Sequence, residues 1–179
     1  MTRIGFIWIA VLVLSCGSSN DTSLTTEGVI VDLAEKKVAL MWLAPDCPLC
    51  QAYSTRFTEL AAVSAPDVSY YGVLPGAHYS QEEIEHFKDS FAFDLEIVTD
   101  PDYRLSRKLG ATVTPEFFLL DTGYQVIYSG KFDDWATDLS QKKLKPTAYY
   151  FKDAIEAFSQ GKHVAINHVD PIGCTIEYD

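Results

Sequence analysis

Lys37-Val38-Ala39-Leu40-Met41-Trp42-Leu43-Ala44-Pro45-Asp46-Cys47-Pro48-Leu49-Cys50 decides the fold and the chemistry of this chain. Lys37 to Leu43 is a short apolar run of strand length and reads as a buried strand. From Pro48 through Ala62 the pattern turns helical, and proline is well tolerated in a first helical turn. Cys47 and Cys50 therefore sit at a strand-to-helix junction. Sulfurs at this spacing on a first helical turn can close a small disulfide ring. The outer thiol lies over the unpaired N–H groups of the helix start, which favour a thiolate. A thiolate is the species that attacks a disulfide. A structural disulfide and a zinc site are the competing readings. Zinc usually requires a second Cys-x-x-Cys or a close histidine pair, and neither is present.

The chain has 179 residues, enough for one domain with a substantial core. A net charge of −11 argues against nucleic-acid binding, which needs clustered lysine and arginine. Met1-Thr2-Arg3 is a charged start, and the apolar run Ile4 to Leu14 is too short to span a bilayer as a stable helix. With Val13-Leu14-Ser15-Cys16 it resembles a bacterial lipoprotein signal. That resemblance implies removal of residues 1–15, lipidation of Cys16, a membrane anchor and an extracytoplasmic location, periplasmic or cell-surface. Residues 16–26 then read as a polar tether, 27–162 as the folded domain and 163–179 as a C-terminal tail. With Cys16 assigned to lipid, Cys47, Cys50 and Cys174 remain, an odd number in a compartment where disulfides persist.

Along the domain, Gly28 to Leu33 reads as a leading strand and Val68 to Leu74 as a further strand broken by Pro75-Gly76. Ser80-Gln81-Glu82-Glu83 is a capping box that starts a helix with Ile84, Phe87 and Phe91 on one face. Leu95 to Thr99 is a strand. Asp100-Pro101-Asp102 opens a helix that Gly110 stops. Phe117 to Leu120 pairs with Gln125 to Tyr128 across the Asp121-Thr122-Gly123 turn. A loop from Gly130 to Pro146 leads to a last helix, predicted from Thr147 to Gly161. Strand–helix alternation closed by a hairpin and a helix gives an α/β sandwich.

This pattern resembles the thioredoxin superfamily in its redoxin (alkyl hydroperoxide reductase/thiol-specific antioxidant-like) branch. Trp42-Leu43-Ala44-Pro45-Asp46-Cys47-Pro48-Leu49-Cys50, Val98-Thr99-Asp100-Pro101 and Thr112-Val113-Thr114-Pro115-Glu116-Phe117-Phe118-Leu119-Leu120-Asp121 carry the resemblance. It implies a central mixed sheet flanked by helices, with residues 68–94 as the redoxin-type central insertion. It further implies a thiol–disulfide oxidoreductase with no organic cofactor and no metal. The partners implied are a thiol or disulfide protein and an electron donor.

In this reading Cys47 is the nucleophile and the more exposed sulfur, and Cys50 is the buried resolving thiol. Thr114-Pro115 is implied to be a cis bond that faces the dithiol and positions substrate. Glu116 is either a proton relay or a solvated strand-edge carboxylate. Asp46 either disfavours the Cys47 thiolate or caps the helix. Trp42 reads as core. Asp133-Asp134 reads as a solvated turn. Cys174, in a Gly-Cys-x-Ile ending, is a free thiol, a third redox thiol or a metal ligand with His168. Two other functions stand beside the oxidoreductase. A thiol peroxidase would place Thr or Ser shortly before Cys47, and the eight preceding residues contain neither. A copper-delivery protein of the Sco type would bind Cu(I) through thiolates, but with a wider cysteine spacing and a well-placed histidine.

Overall fold

The computed structural model describes residues 23–26, 29–32, 36–64 and 66–178. Its centre is β3 (Lys37–Trp42). Val38, Leu40 and Trp42 enter one core, while Ala39, Met41 and Leu43 enter the other. This strict alternation, apolar on both faces, is what a central strand with both faces covered requires. β3 runs parallel to β4 (Val68–Pro75), which runs parallel to β5 (Glu96–Asp100). On its other side β3 is antiparallel to β7 (Glu116–Leu120), which pairs antiparallel with β8 (Val126–Gly130). The sheet order is β5-β4-β3-β7-β8-β9, with β9 (His168–Val169) parallel to β8.

Helices cover both faces. α1 (Pro48–Val63) buries Leu49, Cys50, Tyr53, Phe57 and Leu60 along one stripe. With α2 (Gln81–Ser90) and α4 (Tyr150–Ser159) it closes the larger core, where Phe57, Phe117 and Phe151 meet with ring centroids 5.5–6.1 Å apart. The short α3 (Arg104–Leu109) covers the opposite face, over Trp42 and Phe118. The capping box of α2 is present in both directions between Ser80 and Glu83. Gly110, at φ 73°, takes the left-handed conformation that ends α3.

The expected sandwich, a mixed sheet between helices, is therefore present, with corrections at the edges. The segment expected as a tether ends in a strand. β1 (Ser23–Thr26) pairs antiparallel with β2 (Val29–Asp32), the leading strand. Threonine and valine favour strand, and two intervening residues match a hairpin spacing. The signal segment and Cys16 lie outside the described residues. α4 begins at Tyr150 rather than Thr147, since Tyr149 stands outside the helical region at φ −121° and ψ 59°; the Asp134 carboxylate accepts the N–H groups of Thr147 and Ala148 at 2.7 and 3.0 Å. The C-terminal tail, 163–179, packs on the domain. It contributes β9 to the main sheet and β10 (Cys174–Thr175), which pairs antiparallel with β6 (Val113–Thr114). Gly130 permits the β9 junction: its φ is 120°, and a Cβ there would lie 1.8 Å from the Val169 carbonyl oxygen.

Candidate functional site

The loop after β3 delivers the sulfurs. Leu43 N–H donates to Val73 at 2.9 Å, and Cys47 N–H donates to Ala44 at 3.0 Å, turning the chain into α1. Cys47 is the N-cap, Pro48 the first helical residue. The N–H groups of Leu49 and Cys50 face the Cys47 sulfur and favour its charge. Asp46 is not the cap. It is exposed, and its carboxylate accepts the Tyr79 hydroxyl.

Cys50 sits one turn in and is fully buried, with its sulfur accepting the Ala44 N–H at 3.4 Å. Its thiol donates to Cys47, and this is the main cause that lowers the Cys47 pKa from 9.0 to about 5. Burial opposes the shift, while the Cys174 thiol and the two helix N–H groups reinforce it. Burial, and then the Cys47 charge, push the Cys50 thiol well above its ordinary value. The two thiols are thus shifted in opposite directions, Cys47 down and Cys50 up.

Cys47 is the more exposed of the two sulfurs by only a narrow margin. It is 2% accessible, because the C-terminal strand lies over it. Cys174 Sγ is 2.8 Å from Cys47 Sγ. The Cys47 sulfur also lies 3.1 Å from the Thr114 carbonyl oxygen, which accepts from the protonated thiol. Thr114–Pro115 is cis, and β10 pairs against the residues that precede it. Burial first, and then the neighbouring Cys47, raise the Cys174 thiol to about 12.

Glu116 is neither solvated nor directed at a sulfur. It is 3% exposed on β7, opposite Trp42, and its carboxylate accepts Thr112 N–H at 2.7 Å, Thr112 Oγ1 at 3.2 Å and Val113 N–H at 3.4 Å. It fixes the loop that becomes β6 and so sets where Thr114 stands. Burial raises its pKa in spite of these bonds. Trp42 is core, as expected: its Nε1–H donates to Ser106 Oγ at 2.8 Å, and that hydroxyl donates to Asp100 at 2.6 Å. Asp100, expected to help open this helix, also accepts the N–H groups of Leu105 and Ser106 at the start of α3.

Asp133 overturns the solvated-turn reading. It is 1% exposed, accepts Tyr53 Oη–H and Trp135 N–H at 2.9 Å each, and pairs with Arg56. Tyr53, Asp133, Phe132, Pro115 and Ile172 line a small cavity. His168 does not join Cys174; it bonds Ser129 Oγ at 2.8 Å on β8. Among the described residues no cluster of three or more His, Cys, Asp or Glu is placed to hold a metal ion, and no helix is long and apolar enough to cross a membrane.

No protein-family model matches the chain, and no curated protein matches it in sequence. Solved structures do. An uncharacterized conserved protein from Geobacillus kaustophilus matches over 88% of each chain with a TM-score of 0.71 at 18% identity. A thioredoxin-like protein from Aeropyrum pernix matches with a TM-score of 0.54 at 19% identity, over 61% of this chain and 80% of that one. A secreted Mycobacterium tuberculosis disulfide oxidoreductase matches with a TM-score of 0.50 at 20% identity, over 73% of this chain and 88% of the other. At these identities the likeness is one of fold.

Proposed function

This chain has the thioredoxin-like fold, and from that premise we propose that it is a thiol–disulfide oxidoreductase exchanging disulfides with partner proteins. One observation carries the reading: Cys47 sits at the N-cap of α1 with its pKa lowered, and Cys50 lies one turn in, fully buried, with its thiol pushed up. The Cys47 thiolate attacks a partner disulfide, forms a mixed disulfide and expels one partner thiolate. Cys50 then loses its proton and attacks Cys47 Sγ, forming the 47–50 bridge and releasing the second partner thiolate. The partner gains two electrons and the dithiol loses two. The exchange runs in reverse where the partner is the reductant, and an electron donor restores the dithiol after each reductive turnover. Thr114 and Pro115 position the substrate, and Glu116 holds the loop that carries them.

The test is stopped-flow mixing of the reduced protein with a small aromatic disulfide and, separately, with hydrogen peroxide. The disulfide reaction is expected to be the faster, with a rate that climbs as pH rises through about 5 and then levels off. The sign follows from a lowered pKa: thiolate is present above it and is lost as pH falls below it. Peroxide reacting tenfold faster than the disulfide would make the protein a peroxidase instead.

We also propose that the chain is exported as a lipoprotein anchored through Cys16, on the support of its charged, apolar and Val-Leu-Ser-Cys start. Cys16→Ala is expected to remove the lipid from the mass of the mature protein and move it out of the detergent phase. An unchanged mass and partition would rule the anchor out.

A further inference from the structure

The C-terminal strand is placed as a bound substrate would be. β6 is two residues long and, among the described residues, pairs only with β10. Without β10, the backbone groups of Thr114 and the carbonyl of Thr112 would face outward beside Cys47, an edge open to any extended chain. The register sets Cys174 opposite Thr114, and Ile176 N–H extends the ladder to the Thr112 carbonyl at 3.0 Å. Contacts hold the strand on both sides of the thiol. Ile172 lines the cavity by Pro115, Ile176 is buried in the Trp42 core, and Tyr178 Oη–H donates to the Ala111 carbonyl. Gly173 permits the approach, since a Cβ there would lie 2.3 Å from the Thr114 carbonyl oxygen. The sulfur this strand carries is 2.8 Å from Cys47.

We infer that Cys174 is a third exchange thiol, an internal partner held on the β6 edge that takes Cys47 into an intramolecular disulfide and closes the site to outside chains. The inference rests on Cys47 being the exchange nucleophile. In the oxidised protein the Cys174 thiolate attacks Cys47 Sγ. The 47–174 bond forms, the 47–50 bond breaks, and Cys50 leaves as a thiolate that takes up the proton Cys174 gave to solvent. No electrons are gained or lost in this step. A mixed disulfide on Cys47 is resolved by Cys174 in the same way, with the outside thiolate as leaving group. The proximity of the Cys47 charge is one of the causes that keep Cys174 protonated, and it disappears once Cys47 is bonded to sulfur. An outside partner must lift β10 to reach Cys47, so the 47–174 bridge and partner binding exclude one another.

The test uses the Cys50→Ser chain in oxidised glutathione at mildly alkaline pH, followed by alkylation and peptide mapping by mass spectrometry. Glutathione disulfide accepts the two electrons: Cys47 first forms a glutathione adduct, and Cys174 then displaces the second glutathione thiolate. The bridged 47–174 peptide is expected to exceed the Cys47–glutathione adduct by roughly tenfold or more, as an intramolecular reaction of aligned groups should. A Cys47–glutathione adduct with Cys174 alkylated would overturn the inference and leave the exchange reading intact. Cys47 recovered wholly reduced would overturn both. Gly173→Val in the same background, which drives a side chain into the Thr114 carbonyl, is expected to lower the bridged fraction and raise the glutathione adduct. An unchanged bridged fraction would show that a docked strand is not what brings the thiols together.

Discussion

Replacing Cys47 with serine is expected to lower disulfide reduction by roughly a thousandfold or more, to the background of the buffer. The physical reason is ionisation. The Cys50 thiol most, and then Cys174 and the N–H groups at the helix start, hold the Cys47 pKa down at about 5, which favours the thiolate at neutral pH. A serine hydroxyl in the same position stays protonated, and oxygen forms no mixed disulfide. Cys50→Ser should behave differently: the first attack survives, Cys174 takes the adduct into the 47–174 bridge, and no 47–50 bridge forms. Insulin-disulfide reduction by each variant, with mass spectrometry of trapped adducts, measures both effects. Full activity in Cys47→Ser would remove Cys47 as nucleophile.

The largest expected effect on stability lies at Arg56. Its guanidinium is the counter-charge of a fully buried Asp133 carboxylate and packs over the rings of Tyr53, Phe132 and Trp135 at 5.1–5.5 Å. Arg56→Met keeps the bulk and removes the charge, leaving a buried carboxylate with only the Tyr53 hydroxyl and the Trp135 N–H as donors. The expected cost is about 3 kcal/mol, at the lower end for a broken buried pair because Arg56 itself is 26% exposed. Urea unfolding with an unchanged slope measures it. Adding Asp133→Asn to the Arg56→Met chain removes the stranded charge and should recover part of the loss. A loss below about 1 kcal/mol in the single variant would mean that the pair contributes no more than a surface ion pair does.

What the sequence made legible was local. Strand β3, the Cys47–Cys50 turn and α1 follow one another without a gap, so apolar length, proline and cysteine spacing sufficed to read them. The α2 capping box is legible for the same reason, since Ser80 and Glu83 are three residues apart. The cis Thr114–Pro115 bond was accessible only through family resemblance, because nothing local distinguishes it from a trans bond. Asp133 could not be read as buried: its cation is 77 residues away on α1, and an acidic pair in a loop is ordinarily solvated. Cys174 meets Cys47 across 127 residues. Cysteine parity flagged it, but only the pairing of β10 with β6 assigns it a neighbour. Of the two readings of Asp46, only the helix cap falls, because Cys47 itself is the N-cap. Tyr79, on another segment, donates to the Asp46 carboxylate.

The glycines that seat the C-terminal segment bear on how this protein can vary over evolutionary time. At Gly130 and Gly173 the space a methyl group would need is already filled by a carbonyl of the facing strand. Gly110 and Gly161 share a positive φ with Gly130, but nothing lies within 4 Å of where a Cβ would be. Drift can therefore replace the latter pair with asparagine at small cost, since that residue tolerates the left-handed region. At positions 130 and 173 the first substitution of any kind separates the strands. A lineage that keeps the third sulfur in place keeps both glycines, and one that loses either is under no further pressure from that contact to retain Cys174.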